Sequence, residues 1–169
     1  MGIDRNEKKY SLLAEFILKG NVENIKELLD TTTLRVTMWN GVLADLLRKK
    51  GTNPDMFEKA SALFDDKTTT REWDEIITAF KDDFETSDDA IDFLELFLPP
   101  PQITKMANML SCCKLLSEGV TYKGITQLLG VSSNTISNAS RQWCYCFEES
   151  QELIKSLTVD IVNEKHLNS

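Results

Sequence analysis

The chain has 169 residues, 41% of them apolar, and a formal net charge of −8. That is enough apolar material for a sizeable core, and too acidic a balance for a protein that coats nucleic acid by bulk electrostatics. Seven Gly and four Pro, three of the prolines contiguous, leave few breaks for a β-rich architecture, so an all-α fold is expected.

The opening Met-Gly-Ile-Asp-Arg has no hydrophobic signal core, and Asn6 stands where an acylation motif needs Ser or Thr. No apolar run reaches the length of a membrane span, which predicts a cytoplasmic or nucleoid-associated protein with no membrane partner. Over residues 5–19, Tyr10, Leu13, Ala14, Ile17 and Leu18 recur at helical spacing, and Gly20 closes the helix. Asn21 caps a second helix with Val22, Ile25, Leu28 and Leu29 on one stripe, interrupted by the β-branched Thr31, Thr32 and Thr33. A third helix, over 34–50, holds Val36, Trp39, Val42, Leu43, Leu46 and Leu47. Its terminal Arg48, Lys49 and Lys50 read as a solvated helix end, where the dipole favours cations, in preference to a phosphate contact. Asn53-Pro54-Asp55 turns the chain into a short apolar segment, 56–64, and the polar, β-branched stretch 65–70 is poor for a helix. The chain therefore divides into an N-terminal helical extension, 1–70, to which no residue pattern assigns a role, and a core, 71–169.

The core opens with Trp73, Ile76, Ile77, Phe80 and Phe84 on one helical face and Asp74, Lys81, Asp82 and Asp83 on the other. Ser87 is expected to cap the next helix, with Asp88 and Asp89 in its first turn. Adjacent side chains diverge by about 100° on a helix, so Asp82-Asp83 and Asp88-Asp89 read as solvated faces and not as metal or acid–base sites. Phe93, Leu94, Leu96, Phe97 and Leu98 are too apolar to leave exposed. Pro99, Pro100 and Pro101 end that helix, the third being suited to the start of the next. From Gln102 a helix turns Ile103, Met106, Met109, Leu110, Cys113 and Leu116 inward and stops at Gly119.

Residues 121–143, TYKGITQLLGVSSNTISNASRQW, read as two short helices joined by a tight turn, a helix-turn-helix. Thr121 caps the first, in which Ile125, Leu128 and Leu129 share a face; Gly130 supplies the left-handed turn and Val131 an apolar plug. The second starts at Ser132 or Ser133 and turns Ile136 and Ala139 inward, leaving Ser133, Asn134, Thr135, Ser137, Asn138 and Arg141 on the outer face. That is the composition of a recognition helix: Asn pairs with adenine in the major groove, and Ser or Thr with several bases. After Trp143 a last helix is expected, with Leu153, Ile154, Leu157 and Ile161 at helical spacing, before a frayed tail from Asn163.

From Glu72 to Trp143 the chain resembles the Trp repressor superfamily. The resemblance rests on Glu72-Trp73 opening an amphipathic helix, the run from Phe93 to Pro100, the helix from Met106 to Glu118 ending at Gly119, and the helix-turn-helix with Thr135-Ile136-Ser137. It implies an all-helical, intertwined homodimer that binds operator DNA, with the surface around Phe93 to Leu98 buried partly by the other subunit. The tryptophan-responsive members grip the corepressor carboxylate with two arginines. Those positions fall here on Met109 and Asn138, neither of which offers a bidentate charged fork. Pro99 replaces a threonine of the same pocket, and the spacing from Gly119 to Gly130 is one residue shorter, similar to the corepressor-independent branch. Tryptophan sensing by that route is not expected, nor is any other cofactor.

Residues 1–103 carry 13 basic and 21 acidic side chains, whereas 104–143 carry Lys105, Lys114, Lys123 and Arg141 against Glu118, so the one basic segment is the expected reading head. Cys112, Cys113, Cys144 and Cys146 lack zinc spacing, and His166 is the sole histidine, so buried reduced thiols are expected. No nucleophile elbow, phosphate loop, metalloprotease helix or dinucleotide fingerprint appears, and no catalytic cluster can be named, which argues against an enzyme. The expected function is sequence-specific binding of double-stranded DNA by a dimeric transcriptional regulator. Lys123 and Arg141 would hold phosphates; Ser133, Asn134, Thr135, Ser137 and Asn138 would read bases. The alternative is a helical adaptor or antagonist whose acidic N-terminal helices dock a protein and whose helix-turn-helix never meets DNA.

Overall fold

The computed structural model describes residues 3–32, 53–65, 72–143 and 147–161. The helix expected over 34–50 with its basic end, the boundary stretch from 66, Cys144, Cys146 and the tail from 162 lie outside the described residues. Within them the chain is all-α, without a strand. The helices are α1 (Lys8–Lys19), α2 (Val22–Leu29), α3 (Pro54–Asp65), α4 (Trp73–Phe80), α5 (Ser87–Phe97), α6 (Pro100–Ser117), α7 (Tyr122–Leu129), α8 (Ser133–Arg141) and α9 (Gln151–Ser156), with a 3-10 turn at Lys81–Asp83.

Local chemistry sets most of the boundaries. Asn21 caps α2 through a reciprocal pair, its side chain accepting from the Asn24 N–H while the Asn24 side chain accepts from its own. Gly20 ends α1 in extended conformation at φ −74°, not as a left-handed cap. It is needed because an added Cβ would lie 2.8 Å from the Phe16 carbonyl oxygen. The segment expected over 56–64 is a full helix that starts at Pro54, a residue suited to the first turn, with Asn53 Oδ1 accepting from the Met56 N–H. Thr86, not Ser87, caps α5: its hydroxyl accepts from the Asp89 N–H while the Asp89 carboxylate accepts from the Thr86 N–H. The spacing of three residues back from Asp89 selects Thr86. The proline run ends α5, but α6 begins at the second proline, Pro100, with Pro99 outside it.

α6 is the central rod. α1 lies across α5 and α6, α9 and α8 also pack on α6, and α2 packs on α4. Leu12, Leu13, Phe16 and Ile17 of α1 are wholly buried. Beside them Trp73, Phe80, Phe84, Phe93 and Phe97 form a chain of tilted and edge-on rings with centroids 5.0–6.0 Å apart, geometry that adds about 0.5–1.5 kcal/mol per pair to simple burial. The inward stripe expected on α6 is too narrow. Met109 and Leu116 are only partly buried, while Ala107, Ser111, Cys112, Lys114 and Leu115 are buried as well. Helices press on α6 from several sides, and a single amphipathic face describes only a helix at the rim.

The last helix is shorter than the spacing of Leu153, Ile154, Leu157 and Ile161 implies. α9 ends at Ser156, and Leu157 is extended at φ −62°, ψ 138°. The cause is a competing partner. The Glu15 carboxylate accepts from the N–H groups of Thr158 (2.9 Å) and Val159 (3.0 Å) and from the Thr158 hydroxyl (2.8 Å), drawing the strand-like segment onto α1.

Candidate nucleic-acid interface

α6 hands over to the helix-turn-helix through a tight helix stop. Gly119, at φ +83°, donates to the Leu116 carbonyl and Val120 to that of Leu115, the paired bonds of a Schellman motif. Thr121 then caps α7, its hydroxyl accepting from the Gly124 N–H at 3.1 Å. Ile125 is the one residue of α7 fully withdrawn from solvent; Leu128 and Leu129 are partly buried. Gly130 is left-handed at φ 69°, ψ 25°, and its N–H returns to the Thr126 carbonyl at 2.9 Å. Ser132 caps α8 by accepting from the Thr135 N–H at 3.2 Å. Ile136 and Ala139 are wholly buried, and the Cys113 thiol donates to the Ala139 carbonyl at 3.5 Å, so α8 is seated directly on α6.

With that seating, the expected site residues gather on the outer surface of α7 and α8. Lys123 is exposed on α7; Ser133, Asn134, Asn138 and Arg141 are exposed on α8. Thr135 and Ser137 are half-buried, and Thr135 shares a hydroxyl–hydroxyl bond of 3.1 Å with Ser132, inside the cap. The Arg141 guanidinium donates to Asn138 Oδ1, one turn back on the same helix. Ser133 and Asn134 lie in the first turn of α8, where its unpaired N–H groups also face outward.

One cation of the expected basic segment is not available. Lys114 is 6% exposed; its ammonium donates to the Lys155 carbonyl at 2.9 Å and lies 3.6 Å from the Glu118 carboxylate. It ties α6 to α9, and Lys105, Lys123 and Arg141 remain exposed. Lys105 was not among the sequence-derived site residues. It joins Arg141 on the wall of a cleft of about 520 Å³ between α6 and α8, which Met106, Met109 and Asn138 also line. The signal for it was present, since Lys105 and Met109 are four apart and share a helix face. Met109 and Asn138 both line this cleft. A thioether and an amide there provide no charged fork for a carboxylate.

Burial pushes the Cys112 thiol up to about 11, which leaves it protonated and unreactive. Among the described residues no group of three or more His, Cys, Asp or Glu side chains is placed to hold a metal ion, and no helix is long and apolar enough to cross a membrane. Neither a curated protein nor a solved structure matches the chain. Residues 71–158, a little over half of it, match the family described as Trp repressor protein. That span runs from α4 through the helix-turn-helix to the segment after α9, and the chain belongs to the Trp repressor family.

Proposed function

We propose that this chain is a sequence-specific, double-stranded DNA-binding protein that regulates transcription, entering the major groove with the first turns of α8. The observation that carries the reading is the two-sided character of α8. Ile136 and Ala139 are wholly buried against the core while Ser133, Asn134, Asn138 and Arg141 stay exposed. A helix held rigidly by one face and polar on the other is what base readout needs. Lys123 and Arg141 hold phosphates, joined by Lys105; Ser133, Asn134, Thr135, Ser137 and Asn138 read bases directly or through water.

Membership of a family of helical DNA-binding regulators supports this reading and argues against an enzyme. Two copies bind a two-fold-related operator with half-sites about one helical turn apart. The protein works at the nucleoid in the cytoplasm, without a cofactor, and does not respond to tryptophan, since Met109 and Asn138 stand where the charged fork would be. Of the N-terminal extension, α1 and α2 serve to complete the core. A second reading, a protein-docking adaptor, is favoured by the net charge of −8 and by the burial of Lys114.

Selection from a pool of random duplexes at two salt concentrations separates the two. Enrichment of a palindrome, with affinity falling as salt rises, supports the regulator. No enrichment at low salt by demonstrably folded protein overturns it in favour of the adaptor.

A further inference from the structure

We propose that Arg141 does more than hold a phosphate: it fixes the amide of Asn138, so that one hydrogen-bonded chain runs from the DNA backbone through Arg141 and Asn138 to a base edge. The inference deepens the DNA-binding reading above and rests on it.

Asn134, Asn138 and Arg141 stand at i, i+4 and i+7 on α8 and are all exposed, so they form one row along its outer face. An exposed asparagine on such a row turns about its side-chain bonds, and ordering it is a cost that binding must meet. Arg141 supplies that order. Its Nη2 donates to Asn138 Oδ1, one turn back. A guanidinium has donors and no acceptor, so the oxygen of the amide, and not its NH2 group, must face it. The surroundings favour the same orientation. Lys105 lines the cleft that both residues line, and among the described residues on its walls there is no carboxylate. A wall with two cations attracts the carbonyl end of the amide and repels the NH2 end.

The bond occupies one nitrogen of the guanidinium and leaves Nη1 and Nε to a phosphate oxygen. Because the guanidinium is planar and rigid, gripping the phosphate also fixes Nη2 and the amide that it holds. Backbone contact and base readout are thereby coupled at Arg141. Lys123 lies on α7, not on this row, and acts as a plain phosphate contact.

The test titrates the full chain and its Asn138→Ala, Arg141→Met and doubly substituted variants against the selected operator and against operators changed at one base at a time. Both sites are exposed, so melting curves are expected to be unchanged. Arg141→Met is expected to weaken all duplexes and also to lose about fivefold or more in discrimination at the base position that Asn138→Ala affects. The double variant is expected to lose no more at that position than Asn138→Ala alone. Arg141→Met that weakens every duplex by the same factor, or losses that add in the double variant, overturns the coupling and leaves the DNA-binding reading intact. Selection that enriches no sequence from folded protein overturns both. A readout without DNA is the side-chain amide resonance of Asn138 in the free chain: it is expected to shift in Arg141→Met, and an unmoved resonance overturns the positioning.

Discussion

Phe16→Ala tests whether α1 belongs to the core. Phe16 is 0% exposed, on the helix that lies across α5 and α6. Truncating a buried Phe to Ala forfeits its transfer energy and leaves a cavity, about 3–5 kcal/mol in all. Against a total stability of about 5–15 kcal/mol, that is a large share. For a chain of this size each kcal/mol moves the melting temperature by about 2–4 °C, so a fall of roughly 6–20 °C is expected. Urea titrations followed by helical circular dichroism and by tryptophan fluorescence give the loss directly. Trp73, 6% exposed and edge-on to Phe97 at 6.0 Å, reports the middle of the same core. Both probes are expected to move together with an unchanged slope against urea, because α1 and the ring cluster unfold as one unit. The control is Glu23→Ala, on the exposed face of α2, with a cost below about 1 kcal/mol. A Phe16→Ala loss no larger than that of the control, or a fluorescence transition that does not shift while the helical signal does, would refute the view that α1 is integral.

Asn134→Ala is expected to lose discrimination between related operators by about 1–3 kcal/mol at one base position, whereas Lys123→Ala weakens all duplexes alike and lowers the salt slope by about one; titrations over a salt series, in which equal behaviour of the two variants would remove this division of labour, check it. Gly130→Ala places a side chain at φ 69° and is expected to cost about 1–2 kcal/mol, with Gly130→Asn milder, both read from melting curves. For Glu15, burial opposes ionisation, but the bonds from Lys19, Thr158 and Val159 outweigh it and hold the carboxyl below its usual range. Its contribution is therefore present above the unfolded carboxylate range and lost as pH falls through the lowered native value, so the deficit of Glu15→Gln at neutral pH is expected to vanish on acidification. Glu27 has the opposite sign: burial raises its pKa, outweighing bonds from Ser150 and Glu149, and one carboxylate oxygen is buried without a partner. Glu27→Gln is expected to raise stability at neutral pH, with the gain shrinking as pH falls through the raised value and Glu27 itself takes up a proton.

The helices were legible where one rule decided them. Thr121, Gly130 and Ser132 act through local geometry alone, and the helix-turn-helix came out of the sequence with its turn and its inward residues Ile136 and Ala139 correctly placed. α5 was displaced by one residue because both Ser87 and Thr86 are good caps, and only the reciprocal bond to Asp89 chooses between them. The end of α9 and the fate of Lys114 were not legible. Each depends on a partner distant in sequence, Glu15 for Thr158 and the Lys155 carbonyl for Lys114, which periodicity does not register. The same limit hid the role of α1. Its stripe announced a buried helix, but nothing local said that α5 and α6 were what it would bury.

The placement of α6 gives the N-terminal helices a bearing on the proposed DNA binding that their own acidic composition does not. α1, α8 and α9 all pack on α6, which is buried at Cys112 and Cys113, at Lys114 and at Leu115. Packing of this density has little compliance, so a shift of α1 along α6 is carried to the seat of α8 in preference to being absorbed between them. The Cys113 thiol against the Ala139 carbonyl marks where it would arrive. Exposed residues of α8 that the proposed function places in the groove, such as Asn134, would thereby be aimed through α6 by side chains of α1, such as Phe16. A substitution in α1 that preserves folding is then expected to change affinity for the best operator more than affinity for random duplex. Base readout depends on the pose of α8, and phosphate contacts tolerate small errors in it.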